Sequence, residues 1–360
     1  MKVAVYTIAL NEEKHVERWY NSIKDADYIL IADTGSTDKT VEIAKSLGIN
    51  VVQALIKPFR FDITRNVALA SLPADIDWCI SLDMDEVLTE GWKETIKRLP
   101  KPKENESHIY RSTLTWNFTP DGLPGLQYGA DRVHSRFGNT WRQPAHEIIS
   151  TYGEYKEHRG WVEFGIYHQP DRDKSRSQYL DLLKMAVDEQ PHSDRNAYYY
   201  ARELYYYGKY EEATAEFKRH LSLPTAVWKP ERASSMRHIG KMNPPEAVYW
   251  FELAAKESPG RREPFIDLAK HYYNELNWEK CYEASKNALA ITEKLLDYMC
   301  EEDAWGFLPY DYAALSAHHL GLHDESVKLN EVAMTLNPSE DRLVTNHGFY
   351  LQAFNDSLAS

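Results

Sequence analysis

Apolar positions in the first quarter of the chain come in short runs separated by amphipathic stretches. Lys2 to Ile8 is the first run and reads as a β-strand. A loop at Asn11-Glu12-Glu13 leads into helical spacing from His15 to Lys24. Tyr28 to Ala32 is a second strand, ended by Asp33. Thr34-Gly35-Ser36-Thr37-Asp38-Lys39-Thr40 combines turn and helix-start residues, and the helix after it runs to Leu47, where Gly48 closes it. Asn50 to Leu55 is a third strand, Ile63 to Leu72 a helix and Asp77 to Leu82 a fourth strand. This alternation predicts an α/β domain, a mostly parallel Rossmann-like sheet with helices on both faces. Ligands bind such sheets at the carboxyl ends of the strands, where Asp33 and Asp83 both fall.

After Glu86 the spacing predicts a helix to Leu99, a charged connection from Pro100 to Ser107, and a strand from His108 to Trp116. Asn117 to Gln127 reads as a loop, with turn residues at Pro120-Asp121-Gly122 and Pro124-Gly125. From Ser175 the pattern becomes one of amphipathic helices, the first over Ser177 to Glu189. Tyr198 to Pro224 then alternates small and large residues, Ala201, Leu204, Gly208, Tyr210, Ala213 and Phe217, much as a tetratricopeptide repeat does. Pro224 and Pro259 stand about one ~34-residue repeat apart. A third unit holds Leu268-Ala269, Trp278 and Ala284, and a fourth holds Ala314, Leu320-Gly321 and Ser326 after an insertion around Glu293 to Phe307. Val344 to Leu358 is expected to cap the stack. Two domains are therefore expected, 1–170 and 171–360.

Composition narrows the function classes. The chain has 360 residues, 43% hydrophobic and 27% charged, with a net charge of −13. That balance disfavours broad attraction to nucleic acid or an anionic membrane. Cys79, Cys281 and Cys300 are too few and too scattered for a disulfide framework or a cysteine zinc site, so a reducing, cytoplasmic setting is expected. The N-terminus enters a strand at once, which argues against a signal peptide, and no run of ~18 apolar residues suggests a transmembrane helix. The 24 tyrosines and 10 tryptophans suit helical packing and sugar faces equally.

The stretch Cys79-Ile80-Ser81-Leu82-Asp83-Met84-Asp85-Glu86 carries the most chemistry. Alternate strand residues share a face, so Asp83 and Asp85 are delivered to one spot. Paired carboxylates repel unless a cation lies between them, and a hard ion with oxygen ligands, Mg²⁺ or Mn²⁺, suits the pair. Glu86 stands behind them or caps the turn.

Thr7-Ile8-Ala9-Leu10-Asn11-Glu12-Glu13, Asp33 to Thr40, Arg65-Asn66 and Asp83-Met84-Asp85-Glu86 together resemble, in order and spacing, the family 2 glycosyltransferases of the GT-A fold. The resemblance covers about the first 170 residues. Trp141-Arg142-Gln143-Pro144-Ala145-His146-Glu147, Gly160 and His168 are similar to a bacterial subset that includes lipopolysaccharide-core transferases. The resemblance implies a nucleotide-sugar cleft lined by Thr7, Asn11, Glu12, Asp33, Asp38, Arg65, Asp83 and Met84. Within it Asp33 accepts the uracil N–H, Asp83 meets the ribose and Arg65 offers its fork to base or phosphate oxygens. Asp38 reads equally as a helix cap. Asp85 is the expected direct metal ligand, with Asp83 and His168 completing the set. A base must take the acceptor's proton; Glu147 is the first candidate and Asp131 the second. An ion pair of Glu147 with Arg132, Arg136 or Arg142 is the alternative.

The function expected is metal-dependent, inverting transfer from a UDP-sugar to an acceptor hydroxyl, a hexosyltransferase-type activity. The acceptor is a glycan, a lipid-linked glycan or a protein; modified DNA is disfavoured by charge. The repeats would bind acceptor or form a homodimer. A different class, a helical-repeat scaffold with a non-catalytic nucleotide-sugar cleft, accounts for the same periodicity. A nucleotidyltransferase would need a glycine-rich basic loop after the first strand, where Asn11-Glu12-Glu13 stands instead.

Overall fold

The computed structural model describes residues 1–119, 122–170 and 179–359. They form two units, Met1–Glu189 and Gln190–Ser360. Pro120 and Asp121 of the expected loop, and the expected helix start at Ser177, lie outside the described residues.

The first unit is built on an eight-stranded mixed sheet. Its early strands are β1 (Val3–Ala9), β2 (Tyr28–Asp33), β3 (Asn50–Gln53) and β4 (Trp78–Ser81). Its later strands are β5 (Glu86–Leu88), β6 (Glu106–Thr115), β7 (Gln127–Ser135) and β10 (Lys156–His168). Their order is β3-β2-β1-β4-β7-β6-β10-β5. The pairs among β1 to β4 are parallel, as the alternating pattern predicts; β7 runs antiparallel to both neighbours, and β5 antiparallel to β10. Two short strands, β8 (Asn139–Arg142) and β9 (Ile148–Thr151), make a separate antiparallel pair.

Both faces of β1 are buried, which is why its sequence is continuously apolar. Val3 and Val5 pack with Trp19 and Ile23 of α1 (Val16–Ile23), Ala44 of α2 (Thr40–Ser46) and Ile96 of α4 (Trp92–Arg98). Ala4 and Tyr6 face the other way, onto Ala68 and Leu69 of α3 (Phe61–Ala70) and onto Trp141. Helix α5 (Tyr179–Glu189) is counted with this unit, so the division falls after Glu189 rather than after residue 170.

The second unit is all helical. Its pairs are α6 (Asp194–Tyr206) with α7 (Tyr210–Ser222), and α8 (Lys229–Met242) with α9 (Ala247–Glu257). Next come α10 (Glu263–Asn274) with α11 (Trp278–Ala290), and α13 (Leu308–His319) with α14 (His323–Leu336). The short α12 (Glu302–Trp305) lies in the expected insertion, and α15 (Asp341–Ala359) follows the last pair. Buried alanines at Ala201, Ala213, Ala254, Ala269, Ala284, Ala314 and Ala333 let the helices approach closely. The turn inside three pairs needs a left-handed residue, supplied by Gly208, Leu276 and Gly321. In the second pair Pro244-Pro245-Glu246 forms a 3₁₀ turn instead. Gly240 of α8 lies so near Phe251 that a Cβ there would meet the ring at 2.6 Å. Among the described residues no helix is long and apolar enough to cross a membrane.

Each unit buries a neutral histidine. His134 bonds Tyr6 Oη at 2.9 Å, and burial pushes its pKa down to about 4. His238 bonds the Ser234 carbonyl through Nδ1 at 2.8 Å, and burial pushes its pKa down to about 3. An unfolded histidine titrates near ~6.5, so between there and the folded values the unfolded chain binds more protons. Stability is therefore complete above about pH 6.5 and falls as pH drops, by about 2 kcal/mol per histidine at pH 5. Thermal unfolding followed by calorimetry at pH 7.5, 6 and 5 should show both units losing stability over that window. A flat profile would contradict the neutral assignment.

Candidate functional site

The site lies at the carboxyl ends of the parallel strands. Its centre is a cluster of three carboxylates and two guanidiniums. Arg65, on α3, is 3% exposed and spends every arm of its fork inside the protein. Its Nη2 donates to Asp83 Oδ1 at 2.6 Å, its Nη1 to Ser81 Oγ at 3.0 Å and its Nε to Glu147 Oε1 at 2.5 Å. The guanidinium also lies 5.1 Å from the centre of the Trp141 ring. Arg132 Nη2 donates to Asp83 Oδ2 at 2.8 Å and to Glu86 Oε1 at 2.6 Å. Glu86 Oε2 closes the turn by accepting the Asp83 N–H at 3.0 Å. Glu86 thus both stands behind the pair and caps the turn.

A bulge in β7 puts Arg132 there. Asp131 is opposite Arg111 and Val133 is opposite Tyr110, so Arg132 is the extra residue without a cross-strand partner. Sequence reasoning named Arg132 only as a possible partner of Glu147, because no local pattern announces a bulge.

The charges shift one another. Burial alone would raise the Asp83 pKa, but the Arg132 and Arg65 guanidiniums outweigh it and hold the carboxyl well below its ordinary range. At Glu86 burial wins over Arg132; with Asp83 and Asp85 also close, its pKa is pushed up to about 7. Both guanidiniums stay charged despite burial because the carboxylates surround them.

Asp85 points away from this cluster. Its Oδ2 lies 3.4 Å from His168 Nε2. His168 ends β10 beside β5, where it is register partner of Glu86. Its Nδ1 donates to the Trp116 carbonyl at 3.1 Å, which leaves Nε2 facing Asp85, able to carry a second proton toward that carboxylate or, without it, to offer a ligand lone pair. The Trp116 ring stacks on His168 at 3.9 Å and is itself half exposed. Burial would lower the His168 pKa, but the Asp85 carboxylate and the Trp116 carbonyl raise it. Asp85 and His168 fit a divalent ion: an oxygen and a correctly oriented nitrogen at ligand-to-ligand spacing, with a carbonyl fixing the tautomer. Asp83 fits less well, since each of its oxygens already accepts a guanidinium N–H.

The other expected site residues divide. Asp33 is buried at the end of β2; Oδ1 and Oδ2 accept the Ser36 N–H at 3.1 and 3.3 Å, and Oδ2 takes Gln53 Nε2 at 3.0 Å. Asn11, at φ 56°, ties the first loop to the second: Oδ1 accepts the Thr37 N–H at 2.8 Å. The Glu12 N–H bonds Thr40 Oγ1 at 2.7 Å. Asp38 acts as the local cap. Its Oδ1 takes Thr40 N–H and Oγ1, and its Oδ2 takes the Glu13 N–H; against burial, these bonds hold its pKa below the ordinary value. Four expected roles do not match the geometry. Thr7 is fully buried in β1, and Met84 packs in the core with Trp19 and Leu88, because the middle residue of the Asp-x-Asp turn faces inward. Asp131 pairs with Arg111 at 2.9 Å and Arg159 at 3.4 Å, so its carboxylate is not in the acid cluster. Arg65 holds protein carboxylates rather than offering a free fork.

Glu147 pairs with Arg65, not with Arg132, Arg136 or Arg142. It sits between β8 and β9, just after His146, whose backbone has φ 50°; Gln143 has φ 84°. Two non-glycine residues in left-handed conformation within one short loop store strain that the surroundings must hold. Asn66 helps: its Oδ1 accepts the Trp141 N–H at 2.9 Å and its Nδ2 donates to the Trp141 carbonyl at 2.8 Å. Arg65-Asn66 thus fixes the hairpin backbone and the Glu147 carboxylate together.

Removing Arg65 would leave Asp83 and Glu147 facing each other with one cation fewer. Arg65→Ala should cost about 3–5 kcal/mol, the loss expected for a broken buried ion pair. Arg65→Lys, which keeps charge without the fork, should cost less. Denaturant unfolding of the full chain measures both, and equal small losses would show the cluster to be dispensable.

Residues 4–104 match the family model described as glycosyl transferase family 2. A Rickettsia bellii protein described as an uncharacterized glycosyltransferase is 36% identical over 152 residues, 42% of this chain and 50% of its own length. A Rickettsia prowazekii protein of the same description is 32% identical over 152 residues, 42% of this chain and 51% of its own length. A TPR repeat-containing protein of Synechococcus elongatus is 33% identical over 150 residues, 41% of this chain and 35% of its own length. The chain spans about half the length of the Rickettsia relatives it matches. Among solved structures, the C-terminal part of a TPR repeat-containing protein from Cytophaga hutchinsonii is similar, with TM-score 0.40 and 11% identity. It matches over 50% of this chain and 67% of its own. The matched segment lies within the first unit, from β1 to the connection after α4, and a unit of paired helices follows it in the chain.

Proposed function

We propose that the first unit is a metal-dependent glycosyltransferase that moves a sugar from a UDP-sugar to an acceptor hydroxyl, inverting the anomeric carbon. The observation that carries this reading is the Asp85–His168 pair, 3.4 Å apart at the carboxyl end of the sheet, beside an Asp83 locked by two arginines. Asp85 and His168 would hold Mn²⁺ or Mg²⁺. Such an ion supplies Lewis-acid stabilisation to a departing diphosphate.

The chain's own residues do the rest. Asp33 and the loop that Asn11 ties down form the uridine side of the cleft. Asp83, fixed in rotamer by Arg65 and Arg132, presents its edge to the ribose. Glu147 takes the acceptor proton; its pairing with Arg65 holds the carboxylate in place, as a base must be before attack. Trp116 stacks on His168 and is half exposed, and Phe118 meets Tyr167 edge-on at 5.1 Å. This aromatic surface next to the proposed ligands suits the face of a sugar ring, which favours a glycan or lipid-linked glycan acceptor over a protein. The helical unit would bind acceptor or a second copy of the chain.

Calorimetric titration with a panel of nucleotide sugars, with Mn²⁺ and then with EDTA, tests the donor. One UDP-sugar should bind in a metal-dependent way, and Asp85→Asn should abolish that dependence while the fold is kept. Binding of none by folded protein would favour a scaffold with a vacant cleft.

Once donor and acceptor are known, Glu147→Gln should lower kcat by about 10²–10⁴ with little change in KM, the loss expected for a general base. Asp131→Asn should leave kcat nearly unchanged. The reverse ranking would move the base to Asp131.

A further inference from the structure

We propose a second divalent-metal site, for Zn²⁺ or a similar borderline ion, formed by Glu106, His108 and His158 at the opposite end of the sheet. Strand register builds it. His108 of β6 and His158 of β10 are direct cross-strand partners, and Glu106 lies two residues before His108 on the same face. The two imidazole rings stack at 4.7 Å with 15° between their planes. Glu106 reaches toward both rings, Oε2 to His108 Nε2 at 3.3 Å and Oε1 to His158 Nε2 at 3.8 Å. All three ligand atoms lie within 4.8 Å of one another.

Ligand atoms about 2.0–2.1 Å from a tetrahedral zinc stand about 3.4 Å apart. The observed separations bracket that value, so small side-chain rotations would close the set. Two nitrogens and one carboxylate oxygen are a borderline donor set, better suited to Zn²⁺ than to Mg²⁺ or Ca²⁺. His158 Nε2 is buried without a hydrogen-bond partner, an acceptor or donor left unused inside the cluster. A wall of aromatic rings backs the site: Trp78 meets His108 edge-on at 5.5 Å and stacks on Tyr110 at 5.4 Å. Glu106 also lines a cleft shared with Lys101, Lys103 and Tyr155, which gives an ion a way in. The ammonium of Lys103, 3.8 Å from Glu106 Oε1, is the cation to be displaced, and its side chain is largely exposed.

This site is independent of the donor cleft. β6 and β10 run parallel, with Glu106, His108 and His158 toward their starts and Trp116 and His168 at or just past their ends. A metal here would clamp the first residues of β10 to β6 and leave a fourth position for water on the side where Glu106 borders the cleft.

The test is zinc titration of the full chain by calorimetry, with cobalt titration in parallel. Wild type should bind zinc at this site and give a visible cobalt band of tetrahedral type. His158→Gln, a change at a partly exposed position, and Glu106→Gln should each weaken zinc at least tenfold and lose the band. Asp85→Asn should keep both. Absence of zinc binding in wild type would overturn the proposal. So would binding unaltered by His158→Gln, or binding lost only with Asp85→Asn.

Discussion

The first unit depends on keeping two arginines and three carboxylates together in a place with little water. Arg65 comes from a helix, Arg132 from a bulged strand, Asp83 and Glu86 from one turn, and Glu147 from a strained hairpin. Any one of these charges alone would be costly to bury. Together they offset most of that cost, least at Glu86, and their mutual pairing fixes where the backbone lies. The turn that carries Asp85 and the loop that carries Glu147 are both anchored to Arg65, so the two ends of the proposed chemistry share one rigid support.

This arrangement changes what the best-known residues of the motif do. Of the Asp-x-Asp pair, Asp83 is held by the protein, the middle Met84 belongs to the core, and Asp85 alone turns outward to His168. The division follows from geometry. The turn after β4 has an inward side filled by Trp19 and Leu88, a lateral side facing Arg65 and Arg132, and one open side. Residue type settles the rest: methionine takes the apolar side, and the two aspartates take the cationic and open sides.

The helical unit obeys simpler rules. Small residues at the pair interfaces and a left-handed residue at the turn recur from pair to pair, and where the second pair departs it substitutes a proline 3₁₀ turn. Leu276 holds the conformation that glycine holds at positions 208 and 321, so the repeat geometry at that turn is imposed by packing on both sides rather than by the residue itself.

The sequence by itself determined the elements that local periodicity dictates. The four parallel strands, the helices between them, the paired helices from residue 194 onward and the capping helix are all legible as runs and spacings, because each is fixed by residues close in sequence. The short β5, hidden beside the acidic turn, and β7, interrupted by its bulge, were not legible; three residues and a broken alternation give no period to read. Asp85 and His168 were readable as candidates, but their juxtaposition needed β5 and β10 to pair. The roles of Arg65, Arg132 and Asp131 could not be read at all. Which carboxylate a long guanidinium side chain reaches is decided by strand register and bulges that join residues tens of positions apart, and only the tertiary structure sets those distances.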